Sequence, residues 1–481
     1  MKKIYIYASI ALLGLGISSC KKELTQNPYN AVNSEDAFKT PDDFSNALRG
    51  AYAAYRSTTN FAVYYGGQDG GAMASTPDIL ADNLILNQQG RKSQQTFFDF
   101  KYQPNNTWDL WGNAYAVILR ANFILANIDH LGAGDFKNNI QGEALAVRAL
   151  AHFDLLRTYA KSYTSATDAD LGVPYVTSTD PNALPARDPD KKCYDLVVAD
   201  FEKAATLIGA DNGVGRMDKA AVEGLLSRVY LYMGQWQKVV DAATSAINTA
   251  PDANKLADTV EFPKIWLDAS ERDVLFKVKI LDGDNVQIGV GYEQASPAGV
   301  KAEYSPDYAL TLLYTTTDTR KRSYIGQTVL NTVKYNYIKK YFGRAAGAAN
   351  VVDFKVIRMG EVYLNRAEAY YNLTKPADAL ADLNTLRANR YSDDTPGAET
   401  GQALYNAIQL QRRLELAFEG ARFFDIKRLN LPVQRSSFGD KADGSGIAAS
   451  VKTVPANSKL FELPIPLAET NANKNIKQND Y

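Results

Sequence analysis

Stretches of helical periodicity alternate along the chain with long stretches that have none. In Thr40-Pro41-Asp42-Asp43 the Thr can cap, Pro suits the first helical position, and Asp43 stands where a capping box usually carries Glu. Phe44, Ala47, Leu48, Ala51, Tyr52 and Tyr55 then fall on one helical face. Trp111, Tyr115, Ile118, Asn122 and Leu125 predict a second helix, and a third runs from about Asn139 to Tyr159. Tyr194, Val197, Val198, Phe201, Ala205 and Ile208 make a fourth stripe, and a late helix is predicted from Ala403 to about Leu429.

Two segments repeat one pattern. Ser227, Tyr230, Val239, Ala243 and Ala246 match Ala367, Tyr370, Ala379, Leu383 and Leu386, with the second helix entering twelve residues after the small residue in both. Small residues there let two helices of a hairpin approach closely, as in the tetratricopeptide helix-turn-helix. The helices at 139–159 and 193–208 look like another such unit, and 403–429 like part of a fourth. Loop-rich stretches at 57–107, 160–190, 251–357 and 430–460 separate them, with short β-like runs such as Val274–Val278. The expected fold is therefore mainly α. It is a tetratricopeptide-like scaffold of four dispersed helix-turn-helix units, with long loop-rich inserts and a few short strands.

The amino terminus predicts a compartment. Lys2 and Lys3 precede an apolar run, Ile4 to Ile17, that falls short of the roughly 20 residues a membrane helix needs, so 1–19 reads as a signal peptide. Ile17-Ser18-Ser19-Cys20 resembles the lipobox of bacterial lipoproteins, which would leave a lipid on Cys20 and a polar tether at 20–33, ahead of a single domain at 34–481. Charge is nearly balanced, 53 basic against 54 acidic residues, so composition suggests no nucleic-acid partner. With two histidines, His130 and His152, and two cysteines, Cys20 and Cys193, no common His/Cys metal site can be built. Asp282-Gly283-Asp284-Asn285 with Glu293 looks like a calcium loop, but Val286 and Gln287 stand where a ligand and the turn glycine belong. No metal or cofactor is predicted.

Together these features resemble the SusD/RagB family of outer-membrane nutrient-binding lipoproteins. The resemblance rests on Ser34 to Tyr52, on Trp111, Tyr115 and Asn122, and on Leu171-Gly172-Val173-Pro174. It continues through Asp318 and Arg320, the segment 358–390, Arg413 to Arg428, and Pro464-Ile465-Pro466 with Gln478 and Asn479. It departs at the end, which reads Gln478-Asn479-Asp480-Tyr481 instead of the usual Gln-Asn-Pro-Gly-Tyr. The resemblance implies a lipid-anchored, outward-facing protein of the outer membrane that captures an oligosaccharide or polysaccharide. It would deliver that ligand to a SusC-like TonB-dependent transporter. A peptide ligand, as in RagB-like members, and a surface glycosidase are the alternatives.

A sugar site needs aromatic platforms flanked by groups that hydrogen-bond in pairs. Candidates in the first insert are Tyr64, Tyr65, Asp69, Asp82, Asn83 and Arg91, with Trp108 just beyond. Trp266, Tyr292 and Tyr304 form a second group in 251–357. For each ring the competing reading is core packing. Glu415, Glu419 and Asp425 beside Arg413, Arg422 and Arg428 invite a catalytic reading, but such matched charges on one segment more often form ion-pair networks. No catalytic residue is assigned, and the protein is not expected to be an enzyme.

Overall fold

The computed structural model describes residues 37–56, 64–65, 71–108, 110–284, 286–393 and 396–481. The predicted signal segment, the tether with Cys20, and Asp69 lie outside the described residues.

The helices form where periodicity and caps place them. Helix α1 (Pro41–Ala53) opens on a reciprocal capping box: the Asp43 N–H donates to Thr40 Oγ1 at 3.3 Å and the Thr40 N–H to Asp43 Oδ2 at 2.8 Å. The first insert contributes short α2 (Thr76–Ile79), β1 (Leu84–Leu86) and α3 (Gln95–Phe98). Next come α4 (Trp111–Ala126), α5 (Asp135–Tyr159) and α6 (Asp190–Leu207), with α5 between the other two and buried on nearly all sides from Gly142 onward. His152 on α5 is a packing residue, as its place in the pattern suggests. Its Nε2 accepts from the Val176 N–H at 3.0 Å, its ring stacks 3.8 Å from Tyr175, and burial pushes it down to about 3.

Asp218 caps α7 (Lys219–Met233), and Gly234 at φ +68° turns the chain into α8 (Trp236–Thr249). The second insert supplies α9 (Phe262–Ile265), β2 (Val274–Val278), β3 (Gln294–Ser296), β4 (Gly299–Lys301), β5 (Tyr304–Pro306), α10 (Tyr308–Leu313), α11 (Thr319–Tyr324), β6 (Ile325–Leu330), β7 (Val333–Ile338) and β8 (Phe354–Arg358). These strands make antiparallel pairs: β1 with β5, β2 with β8, β3 with β4, and β6 with β7. Then follow α12 (Met359–Asn372), α13 (Pro376–Ala388), α14 (Gly401–Glu415) and α15 (Arg422–Arg428). A last pair, β9 (Val433–Gln434) with β10 (Thr453–Val454), precedes α16 (Leu467–Ala472).

The repeats are dispersed in sequence but adjacent in space. Hairpins α7–α8 and α12–α13 pack on each other through α8 and α12, and Asn365 Nδ2 donates to Ser227 Oγ at 3.0 Å. The late helix differs from expectation, since 403–429 is two helices, α14 and α15, separated by a turn at 416–421. Phe418 at φ +67° and Gly420 at φ +72° cannot continue a right-handed helix. At Gly420 a side chain would overlap the Met73 carbonyl oxygen, so the insert's backbone fills the space a Cβ would need.

A buried ion-pair network ties the second insert to α14. Glu415 accepts from Arg358 Nη1 at 2.9 Å, from Arg390 Nε at 2.9 Å and from Arg320 Nη1 at 3.3 Å. Asp273 accepts from Arg358 at 2.7 Å and Arg390 at 2.9 Å, and Asp318 grips Arg320 at 2.8 Å. Glu419 accepts from Arg358 at 2.6 Å and Lys340 at 2.7 Å. Four cations thus face four carboxylates. Burial alone would raise the Glu415 carboxyl, but the Arg390 and Arg358 guanidiniums hold it well below the usual carboxylate range. A neighbouring set joins Arg412 and Arg428 to Asp425, and Arg428 to Glu368. The charged segment of the fourth repeat is a packing device.

Asp78 on α2 docks the first insert on the same turn, its Oδ2 accepting from the Gly420 N–H at 2.6 Å. Its other oxygen has no hydrogen-bond partner, and burial pushes the carboxyl up to about 7. Unfolded aspartate titrates near 3.9, so the folded state holds the extra proton between those values, and stability falls as pH rises through that window. The slope is about 1.4 kcal/mol per unit. Asp78→Asn is expected to flatten it, and urea unfolding at about pH 5 and about pH 8 checks this. Lys340, Glu419 and Tyr292 face Asp78, and Lys340, pushed down by burial to about 7, titrates in the same window, so the difference between the two slopes reports Asp78 together with its effect on Lys340. An unchanged slope would refute the assignment.

Candidate functional site

Most of the rings singled out from sequence are core residues. Tyr64 and Tyr65 stack 4.8 Å apart and donate to Asp154 Oδ2 at 2.8 and 2.6 Å. Asp154 in turn pairs with Arg157. Trp108 is 1% exposed and stacks on Phe424. Trp266 lies under Lys340, whose Nζ is 4.0 Å from the ring centroid, and Tyr292 stacks on Tyr341. Tyr304 is equally buried. None of these rings presents a face to a ligand, which corrects the sequence expectation for Tyr64, Tyr65, Trp108, Trp266 and Tyr292. The physical reason is that inserts poor in long helices must bury side chains of their own, and Tyr and Trp fill much volume; the Tyr64 and Tyr65 hydroxyls find Asp154, whereas the polar tips of Trp108, Trp266 and Tyr292 are buried without a hydrogen-bond partner.

Asp82 and Asn83 are corrected likewise. Arg422 grips Asp82 with Nε at 2.7 Å and Nη2 at 2.9 Å, and Asn83 Oδ1 accepts from Arg413 Nε at 2.8 Å. Both residues fasten the first insert to the fourth repeat. Arg91 does reach the surface, its side chain 51% exposed, with Nε donating to Glu303 at 2.8 Å.

Around Arg91 the two inserts and the 430–460 loop meet and offer an accessible aromatic face. Asp307 caps α10 and accepts from Ser436 Oγ at 2.8 Å, which brings the 436–447 loop alongside the helix. There the rings of half-buried Tyr308 and exposed Phe438 meet edge to face, centroids 5.0 Å apart. Gly444, at φ +81°, passes so close to the Tyr308 ring that a Cβ would lie 2.5 Å from it. Leu312 and Ile447 are also exposed, Leu312 one helical turn beyond Tyr308.

Polar groups border these rings. The Gln88 N–H donates to Asp440 Oδ2 at 3.0 Å, the Ile447 N–H to Asp440 Oδ1 at 2.9 Å, and Lys92 Nζ to Gln88 Oε1 at 2.6 Å. The Ala442 N–H donates to the Lys334 carbonyl, which joins the β6–β7 hairpin to the same surface. Gln89 is exposed beside Tyr335. Flat apolar faces bordered by amides and ammonium groups can hold a molecule with C–H faces and hydroxyl edges. Two clefts on the repeats, about 400 Å³ beside Tyr391 and about 450 Å³ along Tyr230, are lined by groups already engaged, Arg387 with Glu399 and Tyr230 with Glu202.

Sequence reasoning missed Tyr308, Phe438, Gln88 and Gln89. A signal existed for Phe438, which stands alone among polar and turn residues in Ser436-Ser437-Phe438-Gly439; Tyr308 opens the apolar run Ala309-Leu310-Thr311-Leu312-Leu313 and carried none. An isolated ring without apolar partners in the local pattern is a better surface candidate than a ring within a cluster.

The SusD family model matches residues 281–481, and a second, described as starch-binding associating with outer membrane, matches residues 28–231. The SusD-like protein P2 of Formosa agariphila is 26% identical over all of this chain and 99% of its own length. A SusD superfamily structure from Bacteroides thetaiotaomicron superposes with a TM-score of 0.80 at 26% identity, covering 92% of this chain and 100% of its own. One from Bacteroides vulgatus gives 0.79 at 25%, covering 92% and 99%. The starch-binding protein SusD of Bacteroides thetaiotaomicron is 29% identical over 128 residues, 27% of this chain and 21% of its own. Two models that match 28–231 and 281–481, together with a full-length relative and superposable structures of the same kind, establish that this chain belongs to the SusD/RagB family.

Proposed function

We propose that this protein binds carbohydrate at the bacterial surface, using the face built around Tyr308 and Phe438. The observation that carries this reading is the pair of exposed Phe438 and half-buried Tyr308, in a loop that Asp440 joins to Gln88 of the first insert, on a chain matched by a starch-binding family model. A lipid on Cys20 would hold the protein to the outer membrane, and a SusC-like TonB-dependent transporter would receive the glycan. Binding without turnover fits the fourth repeat, whose carboxylates Glu415, Glu419 and Asp425 are each engaged by Arg or Lys.

Calorimetric titration against a panel of oligosaccharides tests the reading. Saturable binding is expected, and Tyr308→Ala with Phe438→Ala is expected to weaken it by about tenfold or more, or roughly 1.4 kcal/mol. A folded double variant with unchanged affinity would overturn the site. A wild-type protein that binds no glycan and saturates with peptides would overturn the ligand class.

A further inference from the structure

A cleft of about 230 Å³, made by residues other than those of the Tyr308 face, is lined by Arg49, Arg56, Arg216, Lys277 and Lys279, together with Tyr52, Phe276, Val278 and Gly215. Five of these nine residues are cationic and none is acidic. Three elements converge to make it: the exposed side of α1 and the turn after it, the loop before α7, and the end of β2. The Lys277 N–H donates to the Val214 carbonyl at 2.8 Å and fixes the last two against each other.

The charges behind the lining decide what the cleft would hold. Arg56 pairs with Asp284 at 2.8 Å, Arg216 with Glu143 at 3.0 Å, and Lys277 with Glu271 at 2.8 Å and Asp353 at 2.9 Å. Those three cations have carboxylate partners. Arg49 has Asn46 Oδ1 at 2.8 Å and no carboxylate, and Lys279 has no hydrogen-bond or ion-pair partner among the described residues. Lys279 is nevertheless positioned, because its side chain lies across Gly215, where a Cβ would come within 2.5 Å of its Cε. Among the described residues, two positive charges therefore stand at one cleft without a carboxylate partner. The volume is below the roughly 300–1,000 Å³ of pockets that enclose a whole drug-sized ligand, so a small charged group fits it better than an oligosaccharide.

We infer that this cleft binds a dianionic oxyanion, a sulfate or phosphate group, held between Arg49 and Lys279. Arg49 would donate to its oxygens through the guanidinium fork and Lys279 as a point charge. The group arrives either as the free ion or as the monoester of a small sugar.

The test is calorimetric titration of the protein, at fixed ionic strength, with inorganic sulfate, inorganic phosphate, glucose 6-sulfate and glucose 6-phosphate. Saturable binding of at least one probe is expected, weakened at least tenfold in Arg49→Gln with Lys279→Gln. Because both side chains are exposed and lack ion pairs, the thermal midpoint of that variant should match the wild type. Lys279→Gln alone serves as a second variant, and Tyr308→Ala should leave this binding unchanged. Esters that bind more tightly than the inorganic ions would identify a sugar-borne group, and equal affinities the free ion; either supports the inference. Absence of saturation with all four probes, or wild-type affinity in the double variant, would overturn it.

Discussion

Glu415→Gln should lower stability by roughly 3–5 kcal/mol, or prevent accumulation of folded protein, because it leaves buried guanidiniums without their shared anion. Glu415 touches Arg320, Arg358 and Arg390, all fully buried, and Asp273 and Asp318 cannot supply the missing charge. The amide keeps the shape and removes the charge, so the loss reports electrostatics rather than a cavity. Urea unfolding of the two proteins measures it. Asp168→Asn at the exposed Lys191–Asp168 pair, whose aspartate side chain is 94% exposed, is the control and should change nothing measurable. A Glu415→Gln protein as stable as the wild type would mean that the network is not the clasp between insert and repeats.

The second large effect is at a glycine. Gly420→Ala forces an L side chain into the left-handed region, which costs about 1–2 kcal/mol, and also drives its Cβ into the Met73 carbonyl oxygen. That carbonyl can move only by shifting the segment that leads into α2, and with it the Asp78 bond to the Gly420 N–H. The combined loss should therefore exceed the backbone cost alone. Gly50→Ala within α1 is the matching contrast, since nothing lies within 4 Å of its added Cβ. It should stabilise by about 0.5–1 kcal/mol through helix propensity. Thermal unfolding of both variants distinguishes the two glycines, and similar midpoints would refute the close-approach argument.

Much of the scaffold was legible because its signals are local. Thr40-Pro41-Asp42-Asp43 writes a capping box into consecutive positions, and the small or apolar residues Ser227, Ala243, Ala367 and Leu383 mark where two helices of a hairpin meet. The charges from Arg413 to Arg428 were legible as ion-pairing groups, but apart from Asp425 with Arg428 their main partners lie elsewhere in the chain: Asp82 for Arg413 and Arg422, and Arg320, Lys340, Arg358 and Arg390 for Glu415 and Glu419. Not legible was the break between α14 and α15, since nothing near Gly420 in sequence announces that Met73 will press on it. The rings failed on the same account. Tyr65 looks free in a glycine-rich stretch until Asp154, 89 residues away, accepts its hydroxyl. Long-range partners decide whether an insert ring is core or surface, and periodicity does not record them.

The clasp around Glu415 also sets an order of events in the making of the protein. Its members run from Asp273 to Glu419, and apart from Asp318 with Arg320 the acids and bases that neutralise one another are synthesised far apart. Until α14 has emerged, Arg358 and Arg390 have no Glu415, and closing the insert over them would trap uncompensated charge. The second insert can thus close over Arg358 and Arg390 with their charge matched only once α14 is made. Completion of the fourth repeat is then the step that commits it to its fold.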